Sequence, residues 1–231
     1  MRLLLYLSFL LLGVGCGSGG SDPAPAALPT TPSGPAPAAI RFLSLGDSYT
    51  IGQRVPTAAR WGVQLAHLAP GLQTPDIIAQ TGWTTAELQQ AIRLANPPAS
   101  YELVSLMIGV NNQFRGLPLA TYRTEFRDLL YTSIRLAGNR PGRVFVLSIP
   151  DWGRSPYAQR YDQARISQQI DQFNAVAQQE SQQAGVAFLD ITDLTRTADP
   201  TQFAPDGLHY SGSQMRQWAS RALPVVQALL Q

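Results

Sequence analysis

The chain has 231 residues, a formal net charge of +2, two histidines and one cysteine, and all 17 of its Lys+Arg residues are arginine. The absence of lysine excludes Schiff-base chemistry, pyridoxal attachment, a serine–lysine dyad and a P-loop lysine. One cysteine excludes an internal disulfide and a Cys-rich zinc centre, and two histidines exclude a three-histidine site, so a hydroxyl nucleophile with a histidine base survives, or no catalysis at all.

Met1 and Arg2 precede an apolar stretch from Leu3 to Val14, too short for a mature transmembrane helix and patterned as an export signal. The stretch ends at Gly13-Val14-Gly15-Cys16, which resembles the lipobox of bacterial lipoproteins, although Gly13 stands where such boxes carry leucine. The expectation is a signal peptide over residues 1–16 with Cys16 acylated; otherwise the product is periplasmic or secreted. Residues 17–38 are almost wholly Gly, Ser, Pro, Ala and Thr, a tether composition that cannot bury apolar surface. Gly15, Gly17 and Gly20 satisfy a dinucleotide-binding pattern, but no strand precedes them and no helix follows, so the match is discarded.

Residues 39–231 suffice for one core and contain no second linker or repeat. Their arginines are scattered, which speaks against a nucleic-acid partner. Branched apolar runs predict strands over 40–45, 76–79, 103–108, 144–149 and 186–191. Between them, helical stripes recur at Trp61/Leu65/Leu68, at Tyr122/Phe126/Leu129/Leu130 and at Ile166/Ile170/Phe173/Ala177. Thr84 to Glu87 reads as a capping box, and Gly138 and Gly185 stand where C-terminal caps belong. A last helix over 213–230 contains Pro224, where a kink or break is expected. Strands alternating with helices imply an α/β fold, a three-layer α/β/α sandwich around a five-stranded parallel sheet of flavodoxin-like type, with active sites at the strands' carboxyl ends.

The residues suited to chemistry fall just after those strands. Ser48 follows the first, Gly82 the second and Asn111 the third, while Asp206 and His209 lie in the loop after the fifth. A serine hydroxyl needs a base, and His209 is the credible one, because His67 lies off the apolar stripe of its helix. Asp206 is spaced to orient the imidazole. The four blocks Gly46-Asp47-Ser48, Gly82, Gly109-Val110-Asn111 and Asp206-Gly207-Leu208-His209, in this order, resemble those of the SGNH/GDSL hydrolase family across the whole folded part. The resemblance implies catalysis by Ser48, His209 and Asp206, and an oxyanion hole from the backbone N–H groups of Ser48 and Gly82 with the Asn111 amide. It departs at Asn112, where the family usually carries aspartate. Asp47 is expected to hold the turn, and Trp83, Asp151 and Trp152 to rim the substrate pocket.

These readings converge on an exported serine esterase, anchored in a bacterial cell envelope, acting on small-molecule, glycan or lipid esters with short acyl groups through an acyl-enzyme. No cofactor and no metal is expected. The competing reading is a catalytically silent envelope-binding lipoprotein on the same scaffold. A flavodoxin-like cofactor carrier fits the topology but needs a hydroxyl-rich phosphate loop after the first strand, where this chain is short and acidic.

Overall fold

The computed structural model describes residues 39–231; the expected signal peptide, Cys16 and the expected tether lie outside the described residues. Five strands alternate with helices: β1 (Phe42–Gly46), α1 (Ser48–Ile51), α2 (Trp61–Leu68), β2 (Asp76–Ala79), α3 (Thr85–Ala95), β3 (Leu103–Met107), α4 (Val110–Phe114), α5 (Leu119–Leu136), β4 (Val144–Leu147), α6 (Gln163–Gln183), β5 (Ala187–Leu189), α7 (Thr192–Arg196) and α8 (Gly212–Leu229). The strands run parallel in the order β2-β1-β3-β4-β5. Helix α2 packs on α8, while α5 packs between α3 and α6, giving the two helical layers of an α/β/α sandwich.

Burial follows position in the sheet. The three central strands β1, β3 and β4 are buried along their whole length and read as near-continuous apolar runs, whereas the edge strands β2 and β5 are partly exposed. Ser44 and Ser105 interrupt the apolar run at facing positions of β1 and β3, where their hydroxyls satisfy each other at 2.7 Å. Aromatic contacts fill one layer, with Trp61 edge-on to Phe42 and Phe145; Tyr122 against Phe173 fills the other.

The expected strands are present with trimmed ends. Ile40 makes only an isolated bridge to Leu72. The fifth strand stops at Leu189, where the exposed Asp190 carboxylate accepts from the Ser148 hydroxyl and from the backbone N–H of Thr192, the first residue of α7. The capping box forms at Thr84 and Glu87, and Gly138 and Gly185 take the left-handed conformation just beyond α5 and α6. Pro224 does not break α8, which continues to Leu229. The proline and Ser220, whose carbonyl loses its partner, both face solvent, while Trp218, Ala219, Ala222 and Val226 hold the opposite face in the core. No helix among the described residues is long and apolar enough to cross a membrane.

Candidate active site

Ser48 owes its position to the turn that ends β1. A side chain at Gly46 would put its Cβ 2.1 Å from the Thr50 hydroxyl and 2.5 Å from the Met107 carbonyl, so the turn is this tight only with glycine. Asp47 then caps α1, its Oδ1 accepting from the Tyr49 backbone at 3.0 Å, and Ser48 is the first residue of that single helical turn. The Asp47 carboxyl is fully buried and its Oδ2 has no partner. Burial pushes its pKa up to about 7 against the pull of the Tyr49 N–H.

His209 is held by its own loop. Gly207 takes a left-handed turn with φ 67°, which brings Asp206 back on the residues that follow. Its Oδ1 accepts the backbone N–H groups of Leu208 and His209, each at 3.0 Å, and its Oδ2 lies 2.7 Å from His209 Nδ1. That contact assigns the Nδ1 proton to the carboxylate side and leaves Nε2 as the nitrogen able to take a proton. The Tyr49 ring packs beside the imidazole with centroids 5.7 Å apart. Burial alone would raise the Asp206 pKa, but the His209 ring and the two backbone donors outweigh it and hold the carboxyl below its ordinary range. Arg54, itself left-handed at φ 70°, brings its Nε within 3.5 Å of the same Oδ2.

Gly82 and Asn111 arrive from the ends of β2 and β3. Gly82 has φ 88°, which favours glycine, and its carbonyl accepts from Arg115 at 2.5 Å, fixing the peptide. Asn111 sits in α4, which starts from Gly109 at φ 132°, and donates from Nδ2 to the Trp83 carbonyl at 2.9 Å. Its neighbour Asn112 is fully buried and doubly bonded to Thr85: it accepts from the Thr85 N–H at 3.0 Å and donates to the Thr85 hydroxyl at 2.6 Å. That hydroxyl donates onward to Glu125. The carboxylate expected at position 112 is thus supplied one step away, by Glu125 through Thr85.

Ser48, Gly82, Asn111 and His209 line one pocket of about 120 Å³, walled by Tyr49, Val110, Phe114, Trp152 and Leu208. Trp152 takes its expected place, its ring anchored by a 2.7 Å hydrogen bond from Nε1 to Gln113. Trp83 contributes its backbone carbonyl, while its ring packs on the core. Asp151 does not face the pocket. It is fully buried, and its carboxylate is held by the Gly153 N–H at 2.9 Å and by Arg196 Nε at 2.8 Å, so it organises the loop behind Trp152. His67 is exposed on α2. The sequence reading missed the apolar wall, yet Tyr49, Val110 and Leu208 each adjoin a motif residue, and Phe114 lies one helical turn beyond Asn111. No cluster of three or more His, Cys, Asp or Glu side chains fit for a metal occurs among the described residues. A hydroxyl, a carboxylate-held imidazole and N–H donors around a small apolar pocket can together perform acyl transfer.

Residues 44–216 match the GDSL-like lipase/acylhydrolase family. No curated protein matches the chain in sequence. Among solved structures, an acetylxylan esterase from Geobacillus stearothermophilus superposes with a TM-score of 0.63 at 18% identity, covering 82% of this chain and 94% of its own. A lipolytic protein of the G-D-S-L family from Veillonella parvula gives 0.63 at 18% identity over 82% and 99% of the two chains. An extracellular lipase from Streptomyces rimosus gives 0.55 at 18% identity, again over 82% and 99%. At such identities these likenesses speak for the fold.

Proposed function

This chain belongs to the GDSL-like lipase/acylhydrolase family and hydrolyses ester bonds, and from that premise we propose an exported esterase that works through an acyl-enzyme on Ser48. The observation that carries the reading is the seating of an Asp206-bound His209 on the same small pocket as Ser48, Gly82 and Asn111. In the first half-reaction Ser48 Oγ attacks the ester carbonyl carbon and its proton passes to His209 Nε2. The oxyanion that forms is met by the Ser48 and Gly82 N–H groups and the Asn111 amide. Collapse breaks the bond to the alcohol, which leaves with the proton from His209. Water then attacks the acyl-Ser48 ester with His209 as base, releasing the acid.

The acyl group is short. A cavity of about 120 Å³ is well below the roughly 300–1,000 Å³ of pockets that enclose drug-sized ligands, and its apolar wall suits an acetyl or similarly small chain. The acetylxylan esterase among the structural neighbours is consistent with acetyl esters of glycans, and the lipase with lipid esters. Incubation with 4-nitrophenyl acetate tests the mechanism: mass spectrometry should find an acetyl group on the Ser48 peptide, absent in Ser48→Ala. Background release from the intact protein, with no acetylated serine, would favour the silent binding module.

Export and anchoring complete the proposal, on the strength of the apolar leader, the small residues before Cys16 and the Pro/Gly-rich segment after it. Cys16 becomes the acylated N-terminus and residues 17–38 the tether to the envelope. Replacing Cys16 by serine should move the protein from the membrane fraction to the soluble one; an unchanged distribution refutes the anchor.

A further inference from the structure

A second cleft of about 350 Å³ opens beside the pocket of Ser48 and shares its Phe114 and Trp152 wall. It lies where the turn after β4 meets the start of α6. Phe114 and Tyr161 are 49% and 42% exposed, large apolar surfaces to leave in water, and both pack edge-on against Trp152 with centroids 5.4 Å apart. Tyr157 stacks on Tyr161 at 5.7 Å, and the two hydroxyls meet at 3.3 Å. The result is an aromatic ledge leading away from the nucleophile.

Polar groups face that ledge. Asp162 spends Oδ1 on the Arg165 backbone N–H at 3.0 Å as the cap of α6, which leaves Oδ2 for another donor. Arg165 enters none of the ion pairs among the described residues, so its guanidinium stands unengaged at the rim. Trp152 donates to Gln113, and Gln113 donates to Gln169 at 2.8 Å; this relay orients the Gln169 amide and leaves its NH2 group outward.

Resting on the esterase reading, we propose that this cleft binds the alcohol half of the substrate and that the alcohol is a sugar. A pyranose or furanose offers an apolar C–H face, which an aromatic ring accepts, and a rim of hydroxyls, which a carboxylate, a guanidinium and an amide bind in pairs. An extended acyl chain answers only the first requirement. Laid in the cleft, it would desolvate Asp162, Arg165 and Gln169 with nothing in exchange. Division of labour follows from the two cavities: the small apolar pocket takes the acyl group, and the larger mixed one the glycan.

The test uses the full chain and a panel of O-acetylated oligosaccharides from xylan, glucomannan and peptidoglycan, with 4-nitrophenyl acetate and 4-nitrophenyl octanoate alongside. Tyr161→Ala and Arg165→Ala should each raise KM for the preferred oligosaccharide about tenfold or more, while 4-nitrophenyl acetate hydrolysis stays within about twofold. Unchanged oligosaccharide kinetics, wild-type indifference to the panel, or a selective loss of octanoate hydrolysis would overturn the assignment, the last by giving the cleft to the acyl chain. A separate NMR titration of Ser48→Ala with the same oligosaccharides reads the cleft without turnover. Should the protein cleave no ester at all, the esterase reading fails, and the titration still decides the cleft: binding that Tyr161→Ala abolishes upholds it, and no binding ends it.

Discussion

Asn111 has two amide hydrogens, and one is committed to the Trp83 carbonyl at 2.9 Å. That bond fixes the plane of an amide on the pocket wall, so in the proposed mechanism its second hydrogen needs no reorganisation when an oxyanion develops. Asn111→Ala should therefore lower kcat with little change in KM, a loss of about 2 to 4 kcal/mol in transition-state stabilisation. Steady-state kinetics on a soluble ester decides this; a change confined to KM would reduce Asn111 to substrate positioning. His209 and Asp206 differ in the same measurement. In the proposed mechanism the imidazole is the base, so His209→Ala should cost roughly ten-thousand-fold in kcat/KM with the circular dichroism unchanged. Asp206→Ala leaves Nε2 in place and loses the tautomer lock and the two backbone contacts, so its defect should be smaller than that of His209→Ala; an equal or larger one would make the loop, not the base, the critical element.

At the scale of elements, the Asn111 side of the pocket depends on how α4 is clamped between α3 and α5. Asn112 ties α4 to the first residue of α3 through two bonds to Thr85, and Glu125 of α5 closes the chain. From the other side the Tyr122 ring of α5 lies under Gly109, its hydroxyl donating to the Ile108 carbonyl at 3.2 Å. A Cβ on Gly109 would stand 2.6 Å from that buried ring, and its φ of 132° is strained for any side chain. Gly109→Ala should lower the unfolding free energy by about 2 kcal/mol or more, from overpacking and the backbone penalty together. Urea denaturation measures the loss, and kcat should fall with it because Asn111 moves with the turn. A variant of wild-type stability would mean that the turn has room this geometry denies. The same clamp explains why aspartate is dispensable at position 112: asparagine both donates and accepts, and a second carboxylate there would compete with Glu125 for the one Thr85 hydroxyl.

Across the whole molecule, periodicity made the central strands and the long helices legible, because burial on both faces writes near-continuous apolar runs and one-faced burial writes stripes. The four motif blocks were legible because chemistry at strand ends demands particular residue types. What stayed hidden was set by tertiary context. The one-turn helices α1, α4 and α7 are too short to carry a periodic signal, Pro224 was tolerated because it faces water, and Asp151 found a distant partner in Arg196. Asp47 reads as a turn residue in sequence, yet its complete burial gives it weight in the stability of the entire fold. A carboxyl with an ordinary pKa of 3.8 in the unfolded chain and about 7 in the folded one binds its proton more tightly when folded, so stability falls as pH climbs from about 4 to about 7, by roughly 4 kcal/mol. Glu180 and Asp206 act in the opposite sense. Hydrogen bonds from Arg127 and Arg123 hold Glu180 below its ordinary range despite burial, and Asp206 is held down by the His209 loop, so their contributions are present above about pH 4 and vanish as acid protonates them. The opposing slopes mean that these groups weaken the fold both in acid and as the pH rises towards neutrality. Asp47→Asn keeps the acceptor that caps α1 and removes the titration, so urea midpoints of this variant should stay level from pH 5 to about pH 8 where the parent declines. A variant that keeps the parent's decline would locate the alkaline slope in some other group.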